Sequence, residues 1–198
     1  MAPTVRTATL DDLPTVVAVA AAGFQDDPVM SWVFQDPTTR PARLRGLFSM
    51  PAGDMLRGNG EVHVCDDASV ALWRDPAFEH GGLRESDDDS TAAAIADFTD
   101  GELERLMVLG GTLAANHPHE PHWFLNVLGT VPDRQSQGLG ALVIAPVLER
   151  CDADGVPAYL DSTNPRNRPF YRRQGFVDAG ELVLPGGPSL MAMWRDPR

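Results

Sequence analysis

One segment in the second half of the chain constrains the fold more than any other. A strand pattern over residues 123–130 leads through a Q-x-x-G-x-G turn at residues 135–140 into an amphipathic helix pattern over residues 139–153. Strands that alternate with helices predict an α/β fold, with a mixed sheet and helices on both of its faces. The rest of this half continues the alternation, with strands over 158–162, 176–184 and 190–194 and a short helix over 168–173.

The first half of the chain has a less regular pattern. Its predicted elements, in chain order, are a strand over 5–8, helices over 13–24, 28–34 and 41–56, strands over 61–65 and 69–74, a charged loop over 79–90, and a helix over 91–116 with a break near Gly101. The two central strands flank an Asp-Asp turn and so predict a hairpin. No internal repeat or low-complexity linker divides the sequence, and we therefore expect one domain spanning residues 1–198.

The turn between the strand and the long helix has the features of an anion site. Backbone N–H groups in a glycine turn and in the first turn of a helix have no intrahelical partner, and the helix dipole adds partial positive charge. A phosphate or pyrophosphate can bind there, and Gly138 and Gly140 permit its close approach. A dinucleotide fingerprint would need a glycine where this chain has Val143, so the sequence does not fit a Rossmann fold.

The charged residues exclude several classes of function. All 16 basic residues are arginine, and the absence of lysine excludes a Walker A loop and Schiff-base chemistry. Against them stand 28 acidic residues, which give a net charge of −12. Binding to a phosphate backbone relies on a surplus of basic residues, so nucleic acid is not an expected partner. A cationic small molecule is more compatible with this charge.

Two features bear on the location of the protein. The longest apolar run, residues 16–24, is nine residues long and follows two aspartates, so it has neither the length nor the flanks of a signal peptide or membrane span. Cys65 and Cys151 fall in a predicted strand and a predicted helix, which indicates buried thiols rather than a disulfide framework. We therefore expect a cytoplasmic protein that does not bind membranes.

The residues beyond the long helix narrow the choice of family. Asn164 is followed seven positions later by Tyr171, and Gly175-Phe176 begins four positions after that tyrosine. Together with the preceding Q-x-x-G-x-G turn, this pattern resembles the GNAT acyltransferase superfamily, and the resemblance covers nearly the whole chain. Within the superfamily, the puromycin N-acetyltransferases are the group that the sequence resembles in residues 3–14, 120–143 and 155–176.

This resemblance implies a GNAT fold, in which a central mixed and mostly antiparallel sheet is flanked by helices. It also implies acetyl-CoA as cosubstrate, with the pantetheine arm inserted like an added strand where strands 123–130 and 158–162 splay apart. The implied pantetheine contacts are Asn164 and the main chain of Leu128, Gly129 and Thr130. The implied pyrophosphate contacts are the amides of Gln135, Ser136, Gln137, Gly138, Leu139, Gly140 and Ala141.

Two residues are the candidate catalytic groups. The resemblance implies that Tyr171 faces the CoA sulfur, and a phenol with a pKa of about 10 stays protonated at neutral pH and can protonate a departing thiolate. Asp161 ends a predicted strand beside the cleft and could take the proton of an acceptor amine through water. The alternative for Asp161 is an ordinary hydrogen-bonding carboxylate, and His122, Glu120 and Asn126 are alternative bases.

Two positions of the turn depart from the family pattern. Many relatives have glycine and then lysine or arginine where this chain has Ser136 and Gln137, so a small residue and a cation near the pyrophosphate are both missing. This departure puts the affinity for CoA in doubt. Arg134, Arg166 and Arg172 are nearby cations that could compensate for it.

Three histidines and two acidic runs have simpler interpretations. His117, His119 and His122 lie in a proline-rich loop without a period that would bring three imidazoles together, so we expect no metal. The aspartates at 26–27 fit a helix cap first and a docking point for a cationic substrate second. Those at 87–89 fit a soluble loop before a helix. In a GNAT fold both acidic runs would border the acceptor pocket.

The activity expected from this reasoning is transfer of an acetyl group from acetyl-CoA to a primary amine, by direct attack in a ternary complex. The acceptor is expected to be a cationic small molecule. Puromycin or a similar aminonucleoside is the first candidate, which would imply a part in antibiotic resistance. The alternatives are another amine or hydroxyl acceptor, a longer acyl chain, or a non-catalytic acyl-CoA-binding module. The oligomeric state stays open, with a homodimer as one option.

Overall fold

The structure, a computed structural model, describes residues 3–77 and 95–198. These residues form seven strands, namely β1 (Val5–Thr7), β2 (Glu61–Cys65), β3 (Ser69–Arg74), β4 (Trp123–Thr130), β5 (Ala158–Ser162), β6 (Val177–Val183) and β7 (Ser189–Arg195). The α-helices of the described residues are α1 (Leu13–Gly23), α2 (Pro28–Val33), α3 (Arg40–Asp54), α4 (Asp100–Asn116), α5 (Leu139–Asp154) and α6 (Arg168–Arg173).

The strands form a single sheet in the order β1-β2-β3-β4-β5-β7-β6. Every neighbouring pair is antiparallel except β4 and β5, which are parallel. The parallel pair is joined by α5, because parallel strands need a long crossover connection. The predicted mixed and mostly antiparallel sheet is therefore confirmed.

Helices cover both faces of this sheet, as the alternation of elements predicts. Helices α1 to α4 pack on one face, in a hydrophobic cluster that includes Phe124, Val127 and Tyr159. Helices α5 and α6 pack on the other face, in a cluster that includes Leu125 and Leu160. Side chains of neighbouring strand residues point to opposite faces, which is why residues from β4 and β5 contribute to both clusters.

The break predicted near Gly101 is confirmed. Ile95 is helical, residues 96–99 are not, and α4 begins at Asp100. Thr99 caps it: Glu102 N–H donates to Thr99 Oγ1 at 3.3 Å, and Thr99 N–H donates to Glu102 Oε2 at 2.7 Å. This reciprocal pair satisfies two amides at the helix start, and so fixes the start here. The loop predicted at 79–90 and the helix start predicted at 91 lie outside the described residues.

Strands β4 and β5 separate soon after they begin. They pair only at Trp123 with Ala158 and at Phe124 with Tyr159. A bulge at Asn126 shifts the register between β4 and β3, and such bulges increase the local twist of a strand. Beyond Phe124, no described strand pairs with β4 on the β5 side, which confirms the predicted splay.

The described residues contain no helix that combines the length and the apolar character needed to cross a membrane. Cys65 on β2 and Cys151 on α5 are both buried and free. The prediction of buried thiols without a disulfide is therefore confirmed.

Candidate active site

The second half of β4 offers main-chain groups to the gap between β4 and β5. Directly after the strand, Val131 N–H donates to the Ala68 carbonyl at 2.9 Å. Peptide groups alternate sides along an antiparallel ladder, so those of Gly129 face β3, and those of Leu128 and Thr130 face away from it. Leu128 and Thr130 are therefore positioned to bind an inserted pantetheine arm.

The family resemblance implies that Gly129 offers its main chain to pantetheine, whereas its peptide groups face β3. Its carbonyl accepts a hydrogen bond from Ser69 Oγ at 3.1 Å, on the β3 side. A Cβ at this position would lie 3.1 Å from Ala20 Cα of α1, and a Cβ on Gly23 would lie 2.9 Å from Thr130 N. Both glycines permit α1 to pack directly on the end of β4, because a side chain on either would push the helix away. Gly129 thus shapes the site by close packing rather than by offering its peptide groups.

The turn between β4 and α5 presents a row of free amides. Within the described residues, the N–H groups of residues 136–140 donate to no other group. The neighbouring amides are engaged, since Ala141 N–H donates to the Gly138 carbonyl at 3.1 Å and Gln135 N–H to the Pro132 carbonyl at 3.4 Å. Five of the seven predicted amides are therefore free at the start of a helix, where the helix dipole favours an anion.

The shape of this turn comes from two residues in the left-handed region. Ser136 has φ +61° and Gly138 has φ +84°. Successive N–H groups that converge in this way form a concave anion-binding nest. A Cβ added to Gly138 would meet no protein atom within 4 Å, so the space beside this glycine is open.

Gln137 places an arginine beside the turn. Arg134 Nε–H donates to Gln137 Oε1 at 3.0 Å, and the amide group of the same glutamine donates to the Asp133 carbonyl at 3.0 Å. The position that lacks the family cation therefore holds a neighbouring guanidinium close to the free amides. Of the other two cations considered, Arg172 forms an ion pair with Asp178 at 2.6 Å.

Asn164 and Gln135 shape the two sides of the gap. Asn164 Oδ1 accepts a hydrogen bond from Arg166 N–H at 3.1 Å, which starts the helical turn after β5. Gln135 Nε2 donates to the Thr130 carbonyl at 3.1 Å and so ties the turn to the end of β4.

Tyr171 lies on α6 and is buried in the cluster on the α5 side of the sheet, next to the rings of Phe170 and Phe176. Burial raises the pKa of this phenol above its ordinary value, and the negative charge of Asp27 adds to the effect. The phenol is therefore protonated throughout the neutral range, which a proton donor requires.

Asp161 lies on β5 where this strand no longer pairs with β4. Tyr159 Oη donates to Asp161 Oδ1 at 2.6 Å, whereas Oδ2 is buried and accepts no hydrogen bond from the described residues. Burial raises the pKa of this carboxyl to about 6, and the hydrogen bond from Tyr159 partly opposes the rise. The group is thus mostly ionised at neutral pH and can take a proton.

The alternative bases differ in exposure and surroundings. Glu120 and Asn126 are exposed. His122 is buried, its Nδ1–H donates to the Glu120 carbonyl at 2.6 Å, and burial lowers its pKa. His117 stacks at 4.8 Å from His122, whereas His119 is exposed. The structure therefore brings two of the three histidines together as packed rings. Within residues 3–77 and 95–198 no cluster of three or more metal-ligand side chains occurs.

Asp27 is a buried cap rather than an open docking point. Its Oδ1 accepts hydrogen bonds from the N–H groups of Val29 and Met30, at 2.9 and 3.1 Å, and so caps α2. Thr163, just beyond β5, donates to its Oδ2 at 2.6 Å. Asp26 beside it is exposed. The helix cap predicted from the sequence is thus confirmed for Asp27, and the aspartates at 87–89 lie outside the described residues.

The two candidate catalytic residues belong to opposite faces of the sheet. Asp161 shares a face with Tyr159, whose ring packs on the α1 side, and Tyr171 packs on the α5 side. A thioester placed in the gap between β4 and β5 would have a proton acceptor on one side and a proton donor on the other. This arrangement suits acyl transfer, in which the nucleophile loses a proton and the leaving thiolate gains one.

Comparison with known proteins agrees with this geometry. The model of the acetyltransferase (GNAT) family matches residues 62–176, more than half of the chain. An uncharacterised N-acetyltransferase of Schizosaccharomyces pombe is 28% identical over 190 residues, which cover 87% of this chain and 74% of that protein. The chain therefore belongs to the acetyltransferase (GNAT) family, and it is accordingly an acyltransferase of a family that uses acetyl-CoA.

Two solved structures share the fold along its whole length. A Corynebacterium glutamicum protein, described as a histone acetyltransferase HPA2 and related acetyltransferase, is 26% identical with a TM-score of 0.74, and the match covers 100% of this chain and 98% of that one. A Drosophila melanogaster polyamine N-acetyltransferase, which forms N-acetylagmatine, is 12% identical with a TM-score of 0.64, and the match covers 98% and 99%. The second likeness concerns the fold alone.

Proposed function

We propose that residues 1–198 form one domain that transfers the acetyl group of acetyl-CoA to the primary amine of a small cationic molecule. The observation that carries this proposal is the row of free amides at 136–140, which lies next to the gap between β4 and β5. In this proposal the amides hold the pyrophosphate, and Leu128, Thr130 and Asn164 hold the pantetheine arm. A cytoplasmic location is part of the proposal, and the two free buried cysteines support it because disulfides are rare in that compartment.

The proposed reaction is a direct attack in which atoms and protons balance. The amine nitrogen forms a bond to the thioester carbon, and the bond between that carbon and the CoA sulfur breaks. The nitrogen gives its proton to Asp161, directly or through water, and the thiolate takes one from Tyr171. Both residues then return to their starting states by exchange with solvent. Each acts on one side of the gap, so no covalent enzyme intermediate is required.

Puromycin or a related aminonucleoside is the proposed acceptor, with antibiotic resistance as the role that this would imply. The overall charge of −12 supports a cationic acceptor. The Drosophila structural relative acts on agmatine, which is also a cationic amine. A hydroxyl acceptor or a longer acyl chain is the alternative on the same fold.

A panel of acceptors tests the proposed reaction, with release of free CoA as the readout. The panel contains puromycin, agmatine, an arylalkylamine, and an alcohol of matched size. We expect turnover with amines, puromycin among them, and none with the alcohol. Turnover with agmatine but not puromycin would reject the aminonucleoside and retain the N-acetyltransferase. Binding of CoA without turnover on any compound would favour a non-catalytic binding module.

The Tyr171→Phe variant tests the proposed proton donor. Removing the phenol should lower kcat by ~10²-fold or more, because the group acts mainly in the transition state. The dissociation constant for CoA, measured by calorimetry, should stay within about twofold of the wild-type value. A kcat within threefold of wild type, about 0.7 kcal/mol, would mean that Tyr171 only packs against its neighbours.

A further inference from the structure

We propose that Tyr159 is a positioning residue, which fixes the Asp161 carboxylate through one oxygen and leaves the other oxygen for the acceptor nitrogen. This inference rests on the proposed function of Asp161 as the base. Nothing in the family motif points to Tyr159, since the residue lies before the gap opens and outside the glycine turn.

The bond between the two side chains follows from their spacing on β5. Residues two apart on a strand share a face, so the Tyr159 hydroxyl reaches Asp161 Oδ1, at 2.6 Å. Burial and the charge of Asp161 both raise the pKa of the Tyr159 phenol above its ordinary value. The hydroxyl therefore keeps its proton and acts as a donor throughout the neutral range, and the bond persists.

The ring of Tyr159 is fixed from several sides. Its exposed fraction is 1%. The centroids of four other rings lie 5.0 to 6.4 Å from its own, namely those of His117, His122, Phe124 and Trp194. These contacts come from the segment before β4, from β4 itself and from β7. Dense packing of this kind leaves a ring few alternative rotamers, so the hydroxyl is held at one place and the carboxylate with it.

The second carboxylate oxygen of Asp161, Oδ2, is the atom that we propose to bind the acceptor. Oδ2 is buried, and no described residue donates a hydrogen bond to it. A buried carboxylate oxygen without a partner is costly, and an ammonium or amine hydrogen would relieve that cost. With Oδ1 held by Tyr159, the acceptor has one oxygen to bind, in one orientation. Such preorganisation lowers the barrier to proton transfer.

The charged and titratable groups near Asp161 affect its pKa, which is the quantity that the pH dependence of kcat/KM is used to measure. Among the described residues, Tyr159 is the titratable group that hydrogen-bonds to it. His117 and His122 pack on the Tyr159 ring, and burial lowers the pKa of His122. Thr163 follows Asp161 by two residues in the sequence, and its hydroxyl donates a hydrogen bond to Asp27. Because the Tyr159 bond lowers the pKa of Asp161, its removal should raise that pKa.

The test is the pH profile of kcat/KM for the best amine acceptor. In Tyr159→Phe, the pH at which kcat/KM rises on the acid side of the profile (the acid limb) should increase by about one pH unit, the equivalent of about 1.4 kcal/mol. Asp161→Asn should remove the limb together with most of the activity. When Tyr159→Phe is added to Asp161→Asn, it should cause no further change in the pH profile, because Tyr159 acts through the Asp161 carboxylate. Trp194→Phe is the packing control, since it alters the ring cluster but keeps the hydroxyl, and its limb should not move.

The possible failures are distinguishable. A limb that disappears in Asp161→Asn but stays in place in Tyr159→Phe would overturn the positioning inference and leave the base assignment intact. A limb that persists in Asp161→Asn would overturn both. A ¹³C NMR titration of the Asp161 carboxyl, in wild type and Tyr159→Phe without acceptor, measures the same shift independently of turnover. An unchanged titration there would also overturn the inference.

Discussion

Asp27 and Asp161 are both largely buried carboxylates, yet their hydrogen bonds give them different uses. Asp27 accepts two backbone N–H groups and the Thr163 hydroxyl, which together tie α2 to the end of β5. Asp161 accepts a hydrogen bond from one hydroxyl, and its buried Oδ2 receives none from residues 3–77 and 95–198. The first arrangement stabilises the fold, whereas the second resembles groups with perturbed pKa values at functional sites.

The buried Asp161 carboxylate should lower the stability of the protein at neutral pH. A carboxyl whose pKa is raised in the folded state binds its proton more tightly there than in the unfolded chain, so the protein gains stability as pH falls through that range. Relative to Asp161→Asn, the wild type should gain about 2 kcal/mol of unfolding free energy between pH 7.5 and pH 4.5. Urea denaturation at the two pH values measures this difference.

The exposed Asp26 supplies a control for that measurement. Asp26→Asn removes an exposed carboxylate, and such surface substitutions usually change stability by no more than about 0.5 kcal/mol. A wild-type advantage over Asp161→Asn that does not grow on acidification would show that the Asp161 carboxylate is not destabilised by burial.

At the scale of elements, α5 carries much of the site through its first turn. Gly138 and Gly155 stand at its two ends, with φ +84° and +68°, and neither has a protein atom near an added Cβ. The two positions share backbone geometry and open space. They differ in function, because only Gly138 borders the free amides of residues 136–140.

Because these two glycines have similar backbone conformations and surroundings, substitutions at them form a matched pair of variants. Gly138→Leu and Gly155→Leu should lose similar amounts of stability, about 1–2 kcal/mol each, because both force a side chain into the left-handed region. Only Gly138→Leu should also weaken CoA binding, by about tenfold or more, since its side chain occupies the space that the pyrophosphate needs. Calorimetric titration and thermal melts measure the two effects. Equal CoA affinity in the two variants would contradict the assignment of the turn.

At the scale of the whole molecule, the charge of −12 should act with opposite sign on the two substrates of the proposed reaction. It would attract the proposed cationic amine and repel CoA, whose phosphates are negative. The nest of backbone amides and the guanidinium of Arg134, which also lies 3.9 Å from Asp66, place partial and full positive charge at the turn. The protein thus combines a local anion site with an acidic overall charge.

Salt should therefore change the two specificity constants in opposite directions. As ionic strength rises from about 0.02 to 0.5 M, screening should lower kcat/KM for the amine by about threefold or more and raise it for acetyl-CoA. Asp26→Arg should flatten the dependence for the amine. The control Asp11→Arg, an exposed site beyond the other end of α1, should not. A salt effect of the same sign for both substrates would contradict electrostatic steering.

Local chemistry in the sequence determined the architecture of the site. Alternation of strands and helices predicted the mixed sheet, and the glycine turn ahead of α5 predicted the free amides, because both depend on backbone properties of neighbouring residues. The splay of β4 and β5 came from the family resemblance rather than from any single residue. The capping of α2 by Asp27 was likewise local.

Tertiary structure alone decided how the side chains are used. Thr163 bonds to Asp27 across 136 positions of sequence, a contact that no local pattern encodes. Gly129 turns its peptide groups toward β3 because of the ladder phase set beyond the bulge at Asn126. The two-residue spacing of Tyr159 and Asp161 on one strand makes their hydrogen bond possible. The rings that hold Tyr159 in place, however, come from segments distant in sequence. The sequence determined the backbone of the turn that we propose to bind acyl-CoA, and only long-range packing decided the surroundings of the Asp161 carboxylate.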